Sequence, residues 1–440
     1  MSPETSDPFL DAEAAAATEE AVHDRDQAAH AAAREVHDSQ TSLARWATLI
    51  GAGVFATTMT QPVVLRLPFQ HLLKTDLHAS REMTASFFFL SMLAWYFKPF
   101  VGLLTDSFPL FGTRRKYYIV FSAVIASALY FAVGVVPRTY LAVLVAMIAV
   151  SCMMVVGSTV VGGLSVEVGQ RIRATGRINS ARYFVMNACT LIGGPLGGFL
   201  AVRAFGYTTI TAALIALSVV PFALWLVKEP AAEPANTRAW QTMKIQLGTL
   251  VRSKTLLAAS GLLFLLYIAP GFVTPLYYFQ VDTLKFSQPF IGRLTFLSGS
   301  FGILGAFLYG FVCRRMNLRK IFYLAVTLAV VGTLCYHFYH SARAAMIIDA
   351  EYGMVYTFIE VAILDLSARA TPRGIEGLGF ALMMSVRNLT MMGADVIGSS
   401  LMDRHHVSFF HLVWLNAGTT ALVLVVIPFL PKILLESRDA

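Results

Sequence analysis

Charge and cysteine are both scarce in this chain of 440 residues. Asp, Glu, Lys and Arg together make up 14% of it, whereas about 25% is usual for a soluble globular protein. No Gly-Lys-Ser/Thr phosphate-binding loop occurs, which argues against an ATP-driven pump within the chain. Only four cysteines are present, all within or beside apolar runs and none with metal-ligand spacing, so we interpret them as packing residues. We therefore predict a protein that is not an enzyme and has neither a cofactor nor a metal site.

Apolar residues are abundant. The chain is 56% hydrophobic, with a mean hydropathy of +0.64. A membrane-spanning helix needs about 20 mostly apolar residues. Twelve segments satisfy this requirement: 43–66, 82–105, 117–136, 139–165, 176–203, 207–227, 255–279, 288–312, 321–339, 342–368, 375–402 and 407–431. The sequence predicts an all-α, multi-pass membrane protein.

Basic residues set the predicted orientation. The loops after the even-numbered spans hold sixteen Lys and Arg residues, against five in the other loops. The richer side of a membrane protein faces the cytoplasm. We therefore expect a protein of the cell inner membrane with both termini cytoplasmic. The net charge of +8 is interpreted as a topology signal and membrane-lipid contact rather than nucleic-acid binding.

The segment before the first span and the loop after the sixth differ in composition from the spans. Residues 1–42 are Ala-rich and acidic and lack both the basic start and the apolar core of a signal peptide, so we predict a cytoplasmic tail. Residues 228–254 include KEPAAEPANTR and are predicted to be a cytoplasmic linker. This gives two six-helix bundles, 43–227 and 255–432, and a short tail, 433–440.

The two bundles resemble each other in sequence. A shift of 207 residues aligns Pro68 with Pro275, Leu77 with Leu284 and Ser80 with Ser287. A shift of 201 aligns Gly176 with Gly377, Asn187 with Asn388 and Gly197 with Gly398. Two parallel six-helix pseudo-repeats are the layout of the major facilitator fold, whose substrate site lies near the midplane between the halves. Unrelated packing of twelve helices is the alternative.

Polar and charged residues in or near predicted spans need a reason, because a charge at the bilayer centre costs about 2.5–3.5 kcal/mol on insertion scales. We assign five to the transport pathway or to proton coupling: Lys98, Asn187, Glu360, Arg387 and Asp395. A carboxylate in an apolar site can take up and release a proton, and an arginine fork matches an anionic substrate group. Snorkelling is the alternative for Lys98, which lies roughly 12 Å inside the membrane. A structural ion pair is the alternative for spans ten and eleven.

Charged groups at the predicted cytoplasmic side suggest a gate. A carboxylate at a helix end can pair with nearby arginines in one state and separate from them in another. The predicted members are Asp106, Arg114, Arg115, Glu167 and Arg171. Topology alone is the competing explanation of these charges.

The seventh span contains a helix-breaking stretch, YIAPGFVTPLYYF. Pro270, Gly271 and Pro275 predict a bent or unwound gating helix. Tyr277 and Tyr278 after it fit membrane-interface anchors better than a stacking platform for a flat ring.

One stretch resembles the signature of the folate–biopterin transporter family: FKPFVGLLTDSFPLFGTRRKYY, residues 97–118. Similar features occur in LLKTDLHAS, FSQPFIGRLTFLSGSFGILGAFLYG and ATPRGIEGLGFALMMSVRNL, so the resemblance spans the twelve segments but not the tail. It implies transport of folates, pterins or related solutes, coupled to protons. The family typically carries two aspartates in span four, and Ser158 and Gly162 stand at the corresponding positions here.

The predicted function is a monomeric secondary active transporter of a small polar organic solute, of the folate or pterin class, working by alternating access with proton symport. Several alternatives stay open. The solute could be S-adenosylmethionine or a nucleoside-like compound, or the protein an uncoupled facilitator. A non-transporting receptor or scaffold on the same fold is the remaining possibility.

Overall fold

A computed structural model describes residues 43–171, 175–227, 237–313, 315–371 and 375–429. The predicted tails, 1–42 and 433–440, and most of the acidic part of the linker lie outside these residues. The described part is helical and has no strand, only an isolated bridge between Leu110 and Thr113. Its α-helices are α1 (Leu43–Asp76), α2 (Arg81–Ser91), α3 (Leu93–Tyr96), α4 (Lys98–Ser107), α5 (Lys116–Val135), α6 (Tyr140–Arg171), α7 (Thr175–Ala201), α8 (Phe205–Leu217), α9 (Val219–Leu226), α10 (Thr237–Arg252), α11 (Lys254–Tyr267), α12 (Val273–Tyr278), α13 (Gln288–Val312), α14 (Leu318–Cys335), α15 (Ala342–Ala370), α16 (Glu376–Arg404) and α17 (Phe409–Val426).

Every predicted span is helical in the structure. By length and composition, eight described helices are able to cross a membrane, or nine if the bent pair α10–α11 counts as one span. The four predicted spans that miss this test are the second and seventh, which are broken, and the tenth and eleventh, which carry charges. Broken and charged spans are typical of substrate sites in transporters. The first span was predicted too short, since α1 continues to Asp76.

The pseudo-repeat is visible in the backbone at the same shift of 207 residues. The first span ends in a π-helical turn, Leu72–Asp76, and the seventh ends in another, Phe279–Thr283. His78 and Lys285 follow them with positive φ of 48° and 56°. The amides of Ala79 and Phe286 then bond equivalent carbonyls, at 2.8 and 2.9 Å. Two turns this unusual at equivalent positions confirm that the halves share one fold.

Each half has its own hydrophobic core. Of the buried clusters formed by the described residues, one joins the halves, with Leu67, Ala201, Tyr277, Tyr278 and Ile291 as its members. The interpretation of the two tyrosines as membrane-interface anchors is therefore wrong, since they are only 3% and 5% exposed.

Close helix packing also joins the halves. Helices α7 and α13 pack so closely that a Cβ at Gly194 would lie 2.7 Å from the Gly292 carbonyl oxygen. Helix α16 packs against α2, α3 and α4 of the N-terminal half. These contacts place α16 beside the broken second span, where the candidate site is found.

Candidate functional site

Glu360 and Arg387 form a half-buried ion pair between α15 and α16. The Arg387 Nε and Nη2 atoms both donate to Glu360 Oε1, at 3.0 and 2.6 Å. Tyr267, the last residue of α11, donates its hydroxyl to the same oxygen at 2.5 Å. Arg387 also donates to the Tyr356 hydroxyl at 2.6 Å and to Asn388 Oδ1 at 2.9 Å. The predicted carboxylate and arginine are thus brought together.

Lys98 lies on the N-terminal side of the interface between the halves. Its ammonium donates to Ser158 Oγ at 3.1 Å and lies 5.2 Å from the centre of the Trp95 ring. It makes no ion pair with a carboxylate among the described residues. Ser158 is one of the two positions where the resemblance implies aspartates. A Cβ at Gly162, the other position, would meet no atom within 4 Å.

Asp395 secures the broken seventh span. The helix stops at Tyr267 and resumes at Val273, as Pro270 and Gly271 predicted. The Asp395 carboxylate accepts the Thr274 amide at 2.9 Å and its hydroxyl at 2.6 Å. A Cβ at Gly271 would lie 2.8 Å from the Asp395 Cα, so the break fits against α16 only with glycine there. Both oxygens of this carboxylate are engaged by the broken span.

Arg66 is a central cation that the sequence analysis missed. Its Nη2 atom lies 4.0 Å from Asp395 Oδ2, and its guanidinium lies 5.1 Å from the Phe88 ring centre. The signal for it is an arginine inside an apolar run, VVLRLPFQHLL. Because span one was predicted to stop at residue 66, this arginine was taken for the end of the span. Tyr267 and Tyr356 were also missed, because aromatic residues in spans occur mostly for packing or as anchors.

The remaining predicted residues differ in their surroundings. Asn187 is half-buried on α7, and its side chain makes no hydrogen bond within the described ranges. Arg115 and Glu167 form an ion pair at 3.6 Å, whereas Arg114 is exposed. The side chains of Asp106 and Arg171 lie outside the described residues. We call the end of the bundle that carries the Arg115–Glu167 pair the basic end.

The opposite end is closed by a set of contacts that we call the cross-half clamp. Lys74 pairs with Asp282 at 2.7 Å, Arg81 with Asp403 at 3.0 Å, and Glu82 with Arg404 at 2.5 Å, each pair joining the two halves. The Glu82 amide also donates to Asp403 at 2.8 Å. Tyr278 lies among these pairs, with its hydroxyl donating to the Ala79 carbonyl at 2.5 Å and close to Thr84 Oγ1 at 2.8 Å. The clamp holds the halves together at this end.

This geometry provides three chemical capabilities between the halves. Glu360 can accept hydrogen bonds from cationic and hydroxyl donors, as its Oε1 atom does here, and its side chain is 20% exposed. Arg387 and Lys98 can each bind an anionic group, while Trp95, Tyr267 and Tyr356 offer aromatic faces beside them.

The chain as a whole is similar in sequence to known transporters. The BT1 family pattern matches residues 62–438. A folate-biopterin transporter of Synechocystis sp. is 27% identical over 385 residues, covering 83% of this chain and 77% of that protein. Folate transporter 2 of Plasmodium falciparum is 22% identical over 363 residues, covering 76% and 77%.

The fold is shared with transporters of known structure. The crystal structure of a D-xylose-proton symporter has a TM-score of 0.65 at 15% identity, covering 89% of this chain and 98% of that one. This confirms the predicted major facilitator fold. The family pattern covers most of the chain, so the resemblance indicated by residues 97–118 is also confirmed: the chain belongs to the BT1 family.

Proposed function

We propose that this protein is a proton-coupled secondary active transporter of a small polar organic solute, of the folate or pterin class, working by alternating access. The names of the relatives support the solute class, and the major facilitator fold supports the mechanism. The observation that carries the proposal is the half-buried Glu360–Arg387 pair, in which Arg387 Nε, Arg387 Nη2 and the Tyr267 hydroxyl donate to one carboxylate oxygen.

Coupling follows from competition for Arg387. An anionic solute group that pairs with Arg387 competes with Glu360 for the guanidinium. Protonation of Glu360 in turn releases the guanidinium for the solute. Because linkage is reciprocal, proton and anion each favour binding of the other.

Lys98 supports an anionic solute independently. The resemblance implies two aspartates near this position, whereas here the neighbour is Ser158 and position 162 is open. A lysine inside the membrane without a carboxylate partner among the described residues favours a ligand that brings its own negative charge.

We assign the gates as follows. The basic end faces the cytoplasm, in accordance with the excess of Lys and Arg in its loops. The cross-half clamp is the extracellular gate, closed in this structure, and Arg115 with Glu167 belongs to the cytoplasmic gate together with Asp106, Arg114 and Arg171. The break at Pro270–Gly271 is the hinge of the gating helix, with Pro275 just beyond it. The transporter works as a monomer in the cell inner membrane, with both termini cytoplasmic.

The test is uptake of radiolabelled folic acid into proteoliposomes, with and without an inward proton gradient. We expect the gradient to raise initial uptake several-fold in the unmodified protein and to have no effect in Glu360→Gln. Asp365→Asn is the matched control, because it removes a carboxylate five residues away on the same helix, one that accepts a bond from Tyr309 at 2.8 Å. Uptake that is indifferent to the gradient would refute coupling, and no uptake of folic acid would refute the solute class.

A second solute class is favoured by one observation. Ser158 and Gly162 stand where the resemblance implies aspartates, so a solute other than a folate or pterin is the alternative: S-adenosylmethionine or a nucleoside-like compound. Competition of each compound against folic acid uptake separates these cases.

A further inference from the structure

The second predicted span is broken beside Lys98. Met92 and Phe97, which flank the short helix α3, have ψ of 7° and 14° and so depart from helical geometry. Four residues after Trp95 comes Pro99, which has no amide hydrogen. The Trp95 carbonyl therefore lacks the donor that a continuous helix would supply.

A side chain of the other half provides that missing donor. Ser385 on α16 donates its hydroxyl to the Trp95 carbonyl oxygen at 3.2 Å. Ser385 lies two residues before Arg387, so the helix that holds the ion pair also holds the break. This bond joins two polar sites that are far apart in sequence.

The Trp95 side chain is fixed as well. Its indole Nε1 donates to Gln61 Oε1 at 2.9 Å, and Gln61 in turn donates to Ser151 Oγ at 2.7 Å. With the carbonyl held by Ser385 and the indole held by Gln61, the ring is restrained from both sides. Lys98 lies 5.2 Å from that ring and donates to Ser158.

We propose that Ser385 is a positioning residue: by bonding the carbonyl whose i+4 helical donor Pro99 removes, and to which the Phe97 amide turns back, it holds Trp95 under the Lys98 ammonium and fixes that ammonium against Ser158. Its role towards a solute rests on the proposed function. The position of the Lys98 ammonium does not depend on the proposed function. The experiment therefore measures that position directly and requires no transport.

The reporter is Ser158→Cys in a background whose four native cysteines are replaced. A thiol next to an ammonium forms the reactive thiolate more readily. The rate of labelling by a membrane-permeant maleimide, measured on the full chain in detergent and in proteoliposomes, therefore reports whether Lys98 is in place. Lys98→Met, added to the reporter, should lower the labelling rate about tenfold. This variant gives the reference rate for a thiol that has no ammonium beside it.

We expect Ser385→Ala to lower the labelling rate at least threefold and Ser385→Thr, which keeps the hydroxyl, to restore it. Ser300→Ala is the matched control, because that hydroxyl bonds a carbonyl of its own helix at 2.8 Å, within one half. A rate unchanged by Ser385→Ala while Lys98→Met lowers it would overturn the proposal. A rate that Lys98→Met leaves unchanged would also overturn it, since the contact with position 158 would then be absent.

Pro99 provides an independent test. Pro99→Ala restores an amide that can donate to the Trp95 carbonyl in place of Ser385. Labelling should stay near that of the reporter protein, and Ser385→Ala should then have no effect, because the amide restored at position 99 already holds the carbonyl. Fully additive effects of the two substitutions would contradict the assignment of that carbonyl to Ser385.

Discussion

Asp403→Asn is predicted to open the end of the bundle that the cross-half clamp closes. Its carboxylate, 16% exposed, accepts from both Arg81 Nη1 and the Glu82 amide, and both donors belong to the other half. A hydrogen bond to a charged group contributes about 1.5–3 kcal/mol, and an exposed ion pair about 0.2–1 kcal/mol. Because Arg81 is 32% exposed, its contact is weakened by solvent. We therefore take about 1.4 kcal/mol as the free energy by which Asp403→Asn weakens the contact between the halves, which corresponds to a tenfold shift of the equilibrium towards separated halves.

The assay is the distance distribution between spin labels at Ala204→Cys and Ala342→Cys, measured by double electron–electron resonance. Both sites are exposed at the clamp end, one in each half. Asp403→Asn should increase the population at longer separations. Asp76→Asn is the matched control, because the Asp76–Arg138 pair, at 3.1 Å, lies within the N-terminal half. An unchanged distribution in Asp403→Asn, or an equal change in the control, would refute the role of the clamp.

Three further predictions concern other parts of the molecule. Lys98→Met should raise the KM for folic acid uptake roughly tenfold with little change in maximal rate, since it removes a charge that binds the solute. Initial uptake rates over a range of folic acid concentrations check this, and an unchanged KM would exclude Lys98 from solute binding. Gly271→Ala should lower the thermal unfolding midpoint by roughly 2–6 °C, because the added Cβ would lie 2.8 Å from the Asp395 backbone. Gly261→Ala is the control and should leave the midpoint unchanged, because a Cβ there would meet no atom within 4 Å. Equal midpoints for the two variants would disprove the clash. Glu167→Gln should increase the reactivity of cysteines placed at the basic end, as the 3.6 Å ion pair there is lost; unchanged reactivity would count against a gate.

The fold was largely predictable, because apolar run length and the spacing of breaks are local properties of the sequence. The break at Pro270–Gly271 follows from residue type alone. The repeat shift of 207 residues, found from a few matched residues, proved to align two π-helical turns. The length of α1 was not predictable in the same way, because Arg66 looks like a span end when burial is unknown.

The site was predictable only in part. Glu360 and Arg387 could be identified because they are charged residues within predicted spans. Burying a charge in the membrane costs free energy, so such residues usually have a function. The partner of Lys98 is sixty residues away on α6, and no local pattern encodes that contact. The bond from Ser385 to Trp95 uses a carbonyl whose i+4 helical donor Pro99 removes. The proline was visible in the sequence, but the residue that bonds this carbonyl across the interface was not.

The two π-helical turns occupy equivalent positions in the two repeats, and Lys74 and Asp282 lie on those turns. A contact between equivalent elements of two similar halves lies on the pseudo-twofold axis that relates them. In the proposed transporter the clamp would therefore close a central route between the halves and not a lateral opening towards lipid. When it separates, the mouth forms on the axis, where a solute would meet both halves at once.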